Sequence, residues 1–263
     1  MAKKNVTFAD IAAYTGFSKT TISRYFNNPD SITVENQEKI ANALEVLDYK
    51  ENKLARVMAN GKTEMVGVII PNLYMHYYSD MLDHIISTYE EYGYKFIVFA
   101  GNEDADVERR YIQELLAYKT EGLIILSHTL SSKELAEYHV PIVTIEREDE
   151  YVCSVNTDNY MGGVQAATVL AKSGCDILLN LIIRKYGTLP ERYKIIGFDN
   201  SPVSREAIFP ITTVGQQMDK IAQEAVELLS LQISERKKRR PKPLAAPIHK
   251  VLTPILIRRE TTK

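Results

Sequence analysis

Val6-Thr7-Phe8-Ala9-Asp10-Ile11-Ala12, followed after three residues by Gly16-Phe17-Ser18-Lys19-Thr20-Thr21-Ile22-Ser23-Arg24-Tyr25-Phe26-Asn27, decides the organisation of this chain. Thr7 stands before an apolar-periodic stretch and Asp10 follows three positions later, a capping-box pattern with Asp in place of the usual Glu. Phe8, Ile11 and Ala12 then recur at helical spacing, and Gly16 interrupts where a helix C-cap belongs. Ser18 caps a second helix, Lys19 to Phe26, with Ile22 and Phe26 on its inner face. Asn27-Asn28-Pro29-Asp30 is a turn cluster. Thr33 caps a third helix in which Ile40, Ala43, Leu44 and Leu47 mark one apolar face. Two short helices joined through a glycine turn make a helix-turn-helix candidate.

The outer face of the second helix is polar. Lys19, Thr20 and Arg24 point away from the apolar side, and Ser18, Thr21, Ser23 and Asn27 add hydroxyls and an amide. Residues near the N-terminus of a recognition helix reach base edges in DNA, while hydroxyls and amides hold phosphates. On pattern alone, a helical hairpin with a solvated polar face fits equally well. Charge adds a little: residues 1–63 hold 9 Lys/Arg against 7 Asp/Glu, and the remainder 23 against 27. A mildly basic front on an acidic body is compatible with nucleic acid.

From Met65 the period changes. Val66–Ile70, Phe96–Ala100, Leu123–Leu126 and Ile142–Ile145 are short apolar runs bounded by turns. They alternate with helical stretches over Tyr77–Tyr92, Val107–Lys119 and Lys133–Tyr138. This rhythm predicts an α/β fold with a doubly wound parallel sheet. Val152–Val155, Ile177–Leu181, Ile195–Phe198 and Val251–Ile257 are further strand candidates, the second of them equally readable as helix. Helices are expected over Met161–Lys172 and Met218–Ile233, and five consecutive basic residues follow at Arg236–Arg240.

Composition excludes several classes. At 263 residues the chain can bury a substantial core. No apolar run approaches the 18 or so residues of a membrane span, and Met-Ala-Lys-Lys-Asn leads into no signal core, which points to a cytoplasmic protein. Two cysteines, Cys153 and Cys175, build neither a zinc cluster nor a disulfide framework. There is no phosphate loop, no dinucleotide fingerprint and no nucleophile elbow, and the five histidines show no metal spacing. No cofactor is expected. Acidic pairs such as Asp104/Asp106 and Glu146/Glu148 read as solvated loops.

The opening stretch, continued through Thr33, Glu38-Lys39-Ile40, Ala43 and Leu47-Asp48-Tyr49 to Asn52-Lys53-Leu54-Ala55-Arg56, resembles the headpiece and hinge of the LacI/GalR family of bacterial repressors. The likeness extends over Val66–Asn72, Arg110-Tyr111, Gly122–Ile125, Pro141–Val143, Asp158-Asn159, Ile195–Asn200 and Leu256–Glu260, nearly the whole chain. The resemblance implies a helix-turn-helix headpiece over 1–50, a hinge helix and linker over 51–64, and a periplasmic-binding-protein-like effector and dimerisation core over 65–263. It implies operator contacts from Thr7, Ser18, Lys19, Thr20, Thr21, Ser23, Arg24 and Asn27, and from Asn52, Ala55 and Met58 in the hinge. Met58 stands where the family usually inserts a leucine into the minor groove, and Glu51 where it usually has proline. It implies a homodimer on a palindromic duplex operator and a small sugar or sugar phosphate as effector. Tyr77 and Tyr78 match positions whose rings pack on the ligand, and Asp199 matches a carboxylate that bonds its hydroxyls.

The family pattern breaks after Gly174-Cys175-Asp176. Only 17 residues separate Asp176 from Lys194, whereas one βαβ unit needs about 30. We read an internal deletion that leaves the second lobe truncated around 176–194 and removes the segment carrying an effector-binding arginine in the family. The leading function is a transcriptional repressor of a carbohydrate operon with an impaired effector site. The alternatives are a doubly wound metabolic enzyme with an appended helical domain, or an inactive remnant of a repressor.

Overall fold

A computed structural model describes residues 6–50, 63–147, 150–173, 187–188, 194–207, 209–238, 240–241 and 244–262. The chain divides into two compact units, Met1–Lys62 and Thr63–Lys263. In the first, α1 (Phe8–Thr15), α2 (Lys19–Asn27) and α3 (Val34–Val46) surround a small core. Ile11, Ile22, Ile40 and Ala43 are fully buried there, and Phe8, Phe26 and Tyr49 close the base as an aromatic group. The Phe8 and Phe26 rings stack with centroids 5.1 Å apart. Local chemistry sets the helix ends. The Asp10 carboxylate accepts the Thr7 N–H at 2.8 Å and its hydroxyl at 2.7 Å. Gly16 terminates α1 at φ 75°, the left-handed conformation that glycine adopts without strain. The Ser18 hydroxyl accepts the Thr21 N–H at 3.1 Å.

The second unit is α/β. Its elements run β1 (Met65–Ile70), α4 (His76–Ser87), α5 (Tyr89–Tyr92), β2 (Lys95–Ala100), α6 (Ala105–Ala117), β3 (Gly122–Leu126), α7 (Ser132–Ala136), β4 (Ile142–Ile145) and β5 (Cys153–Thr157). They continue as α8 (Asn159–Ser173), β6 (Ile196–Phe198), α9 (Pro202–Glu206), β7 (Thr212–Gly215), α10 (Met218–Arg236), β8 (His249–Leu252) and β9 (Ile255–Ile257). Six strands form one parallel sheet in the order β2-β1-β3-β4-β5-β8. Because side chains alternate along a strand, each strand feeds two cores. Val66, Val68 and Ile70 of β1 face α4 and α10, meeting Met81, Ile85, Ile221, Ala225 and Leu228. Ile69, with Leu123 and Ile125 of β3, faces α6 through Ile112 and Leu115. Burial on both faces explains why these strands read as unbroken apolar runs. Gly67 leaves room for these side chains: a Cβ would come within 2.6 Å of Leu123 Cδ2 and 2.7 Å of Leu115 Cδ1, which would have to shift.

Three strands form a second sheet, β6-β7-β9, with β7 and β9 antiparallel. It contains the main departures from the sequence reading. Val251–Ile257 is two strands, because Thr253-Pro254 breaks the run and proline has no N–H for a ladder. Its first half, β8, pairs with β5 in the large sheet, and its second half, β9, pairs with β7 in the small one. β7 itself was not anticipated. Tyr77–Tyr92 is two helices, divided at Thr88, whose hydroxyl donates to the Ile85 carbonyl at 2.6 Å. The strand candidate Ile177–Leu181 and most of the presumed deletion site, 176–194, lie outside the described residues.

Candidate functional site

The headpiece offers one polar helix face. Ser18, Lys19, Thr20, Arg24 and Asn27 are exposed along α2, while Ile22 is fully buried on the opposite side. Thr20 and Arg24 stand four residues apart and therefore share a face, as do Lys19 and Ser23. Other polar atoms of this helix are engaged within it. The Thr21 and Ser18 hydroxyls are 2.9 Å apart, and the Asn27 amide donates to the Ser23 carbonyl at 2.9 Å and lies 3.2 Å from its hydroxyl. Thr21 and Ser23 are half-buried, and Thr7 is exposed but bound to Asp10. The side chains most free to meet a partner on α2 are thus Lys19, Thr20 and Arg24. Asn52, Ala55 and Met58 lie outside the described residues.

The second site is where the strands end. In open α/β sheets, ligands bind beyond the carboxyl ends of the strands. Tyr77 and Tyr78, in the first turn of α4, meet edge to face with ring centroids 5.3 Å apart. The Tyr77 hydroxyl is buried and has no hydrogen-bond partner among the described residues. Its ionisation is pushed up by burial and, further, by the negative charge of Glu146 and Asp199.

These two carboxylates hold equivalent places, one residue after β4 and one after β6. Both have left-handed backbone, φ 62° at Glu146 and 69° at Asp199. For a non-glycine residue that conformation costs roughly 1–2 kcal/mol. Hydrogen bonds connect them. Glu146 Oε1 accepts the Thr157 N–H at 3.1 Å, and the Thr157 hydroxyl lies 2.7 Å from it and 3.1 Å from Gln216 Oε1. The Gln216 amide donates to Asp199 Oδ1 at 3.0 Å. This chain runs from the six-stranded sheet to the three-stranded one. Burial raises both carboxyl pKa values above the ordinary range. The Thr157 and Asn159 hydrogen bonds pull Glu146 back, while those of Gln216, with the charge of His76, pull Asp199 back.

Sequence reasoning named Tyr77, Tyr78 and Asp199 but not Glu146, Thr157 and Gln216, which hydrogen bonds join to Asp199. The reading of Glu146 as a solvated loop residue is corrected: it is half-buried and hydrogen-bonded to Thr157. The signal was available, since Glu146 follows Ile142–Ile145 as Asp199 follows the later apolar run. Gln216 was hidden because β7 was not recognised. Asp104 and Asp106 are exposed. Asp104 caps α6 and Asp106 pairs with Arg109 at 2.6 Å.

A three-helix unit with an exposed cationic helix face, joined in one chain to a two-sheet unit with a polar network at its strand ends, defines a class: a helix-turn-helix head on a periplasmic-binding-protein-like core. Comparisons agree. Residues 7–52 match the bacterial regulatory proteins of the lacI family. Residues 63–181 match the periplasmic binding proteins and sugar binding domain of the LacI family, and 177–262 a periplasmic binding protein-like domain. The chain belongs to the LacI family of bacterial regulatory proteins.

Among relatives, a sucrose operon repressor of Streptococcus mutans serotype c is 30% identical over 190 residues, 72% of this chain and 59% of that protein. Catabolite control protein A of the same organism is 32% identical over 64% of this chain and 52% of its own length. The chain thus spans between half and three-fifths of the length of these relatives. Among solved structures, the Lac repressor dimer bound to operator and an anti-inducer superposes with a TM-score of 0.79 at 20% identity, covering 98% of this chain and 99% of that one. The likeness shows the shared fold. Among the described residues no helix is long and apolar enough to cross a membrane.

Proposed function

We propose that this protein is a sequence-specific DNA-binding repressor of carbohydrate-utilisation genes. It acts in the cytoplasm as a homodimer on a palindromic operator, through a headpiece (1–50), a hinge (51–64) and an effector core (65–263). The observation that carries the reading is the exposed row Lys19, Thr20 and Arg24, held rigid by the buried Ile22 behind it. Short polar and cationic side chains on a fixed helix suit the major groove. Ser18, Thr21, Ser23, Asn27 and Thr7 support the backbone contacts, and Asn52, Ala55 and Met58 act from the hinge, where an apolar wedge opens a base step. The names of the relatives, which include sucrose and ribose operon repressors, support carbohydrate control.

In the core, Tyr77, Tyr78 and Glu146 supply the side of a sugar-type effector site that comes from the six-stranded sheet, and Asp199 and Gln216 are what remains of the other side. The shortened second lobe impairs it. Two core matches overlap at residues 177–181, within the segment where the sequence reading puts the deletion. An effector acts only through different affinity for two conformations, and a one-sided cleft supplies little difference. Binding-site selection on genomic DNA with purified protein, repeated with a sugar panel, tests both parts. A palindromic consensus that no sugar relieves is the expected result. Absence of any consensus would overturn the repressor reading, and release of DNA at micromolar sugar would overturn the impaired effector site.

A further inference from the structure

We propose that the core carries a second small-molecule site, at the amino end of the large sheet, for an amphipathic anion with an aliphatic chain, of the medium-chain carboxylate type. A cavity of about 730 Å³ lies between the C-terminal half of α10 and the residues that lead into β4 and β8. That volume falls within the roughly 300–1,000 Å³ of small-molecule sites. The strands of this sheet are parallel, so residues that precede them stand at one end and residues that follow them at the other. The cavity is therefore separate from Tyr77, Glu146 and Asp199, which follow strands. Its walls are aliphatic. Val140 and Pro141 come from the approach to β4, Leu228 and Leu231 from α10, and Leu244 and Ile248 from the approach to β8. Leu231 is 55% exposed, Leu244 47% and Ile248 37%. Exposed apolar residues that are merely scattered need no explanation, but these converge on one cavity. A ligand that covers them removes apolar area from water. Backbone hydrogen bonds fix two of the walls. The Pro141 carbonyl accepts the Leu123 N–H at 2.9 Å. The Ile248 N–H donates to Cys153 Sγ at 3.2 Å, and its carbonyl accepts the Ser154 N–H at 3.0 Å.

The polar groups of the lining select the class of ligand. The Ser234 hydroxyl donates to the Leu231 carbonyl at 2.9 Å, and the Gln232 amide donates to the Ile142 carbonyl at 3.4 Å. Both are engaged with the protein, which leaves little to meet the hydroxyls of a sugar. Glu235 and Lys238 pair with each other, so their charges offset. Arg236 also lines the cavity, is exposed, and has no ion pair among the described residues. Its place in the last turn of α10 favours the cation. Guanidinium keeps its charge at any physiological pH and presents forked donors that match a carboxylate. The lining holds no ring besides that of His139, so the body of the ligand meets alkyl groups and not a stacking platform. An alkyl chain ending in an anion fits both features.

Equilibrium dialysis of the full chain against radiolabelled hexanoate, octanoate and decanoate, with 1-octanol as the uncharged match, reads binding directly. Octanoate should saturate at one per chain. Each added methylene should tighten binding by up to about fourfold, the value of one buried CH₂. Octanoate should bind about tenfold tighter than 1-octanol, as a hydrogen bond to a charged group implies. Arg236→Gln should remove that difference by weakening octanoate alone. Leu231→Asp, at an exposed position, should weaken both ligands by placing a carboxylate in the aliphatic wall. Lys220→Gln, an exposed cation 16 residues earlier on α10 and about 24 Å away, should change neither. Absence of saturable binding across the series would overturn the inference. So would equal affinity for octanoate and 1-octanol, or an equal loss in Arg236→Gln and Lys220→Gln. A groove that takes only a protein partner would give the first of these results. The site makes no use of the DNA-binding reading, which stands or falls on binding-site selection.

Discussion

Ile22→Ala and Arg24→Ala should both weaken the proposed DNA binding, for reasons that can be separated. Ile22 is fully buried among Ile11, Ile40 and Ala43. Truncating a buried Ile to Ala costs about 2–5 kcal/mol. The described head has 45 residues, and at roughly 0.05–0.15 kcal/mol per residue its whole stability is about 2–7 kcal/mol. The substitution therefore removes a large share of what holds α1, α2 and α3 together. Hydrogen exchange read by mass spectrometry on the full chain locates the loss. Amides of α1–α3 should lose at least about 30-fold in protection, the equivalent of about 2 kcal/mol, while those of β1, β3 and β4 keep theirs. Arg24 is exposed. Arg24→Ala should leave protection unchanged and lower operator affinity by about 1–3 kcal/mol, the value of one good base contact. If Ile22→Ala cost the head less than tenfold in protection, or if the core amides fell in parallel, the description of an independently packed head with Ile22 at its centre would be wrong.

Exchanging Lys19 and Thr20 should change the selected operator sequence, whereas substituting Lys3 and Lys4 should alter mainly salt dependence; an identical consensus after the exchange would remove α2 from the reading role. Gly67→Ala forces a methyl against Leu115 and Leu123 and should destabilise the core by about 1–3 kcal/mol, seen as a lowered melting temperature with the headpiece unaffected. Glu146 has a carboxyl pKa raised by burial, so its protonated form is favoured in the folded state. The associated stability is fully present below the unfolded value near 4.5 and is lost as pH rises through the folded value. Glu146→Gln, which can still accept from Thr157, should gain on the wild type as pH rises from 4 to 7 in thermal melts. A gain that shrinks with pH would refute the assignment.

Much of the fold was legible because the determining patterns are local. Ser18 and Gly16 mark helix ends through their own chemistry, and Val66–Ile70 or Ile142–Ile145 announce doubly buried strands by composition alone. What was hidden depends on distant partners. Thr212–Gly215 carries two threonines and a glycine, and it becomes a strand because β6 and β9 flank it. Residues 251–257 look like one strand until Pro254 and two separate sheets divide them. The cleft followed the same rule. Aromatic rings at Tyr77 and Tyr78 stand out in a sequence, while Glu146 resembles any loop acid until Thr157 and Gln216 connect it to Asp199.

The layout of the large sheet bears on how the protein is made. Its first five strands are complete by Thr157, but the helix that covers one face, α10, begins at Met218, and the edge strand β8 begins at His249. On the ribosome, at about 5–20 residues per second, β5 leaves the exit tunnel several seconds before either arrives. During that interval Val66, Val68, Ile124 and Val143 lack the side chains of Ile221, Ala225 and Leu228 that bury them in the finished core. The nascent chain thus presents an apolar face covered by α4 alone, with an open strand edge at β5. Holdase chaperones act on such a face, and codons between 158 and 249 set how long it stays exposed.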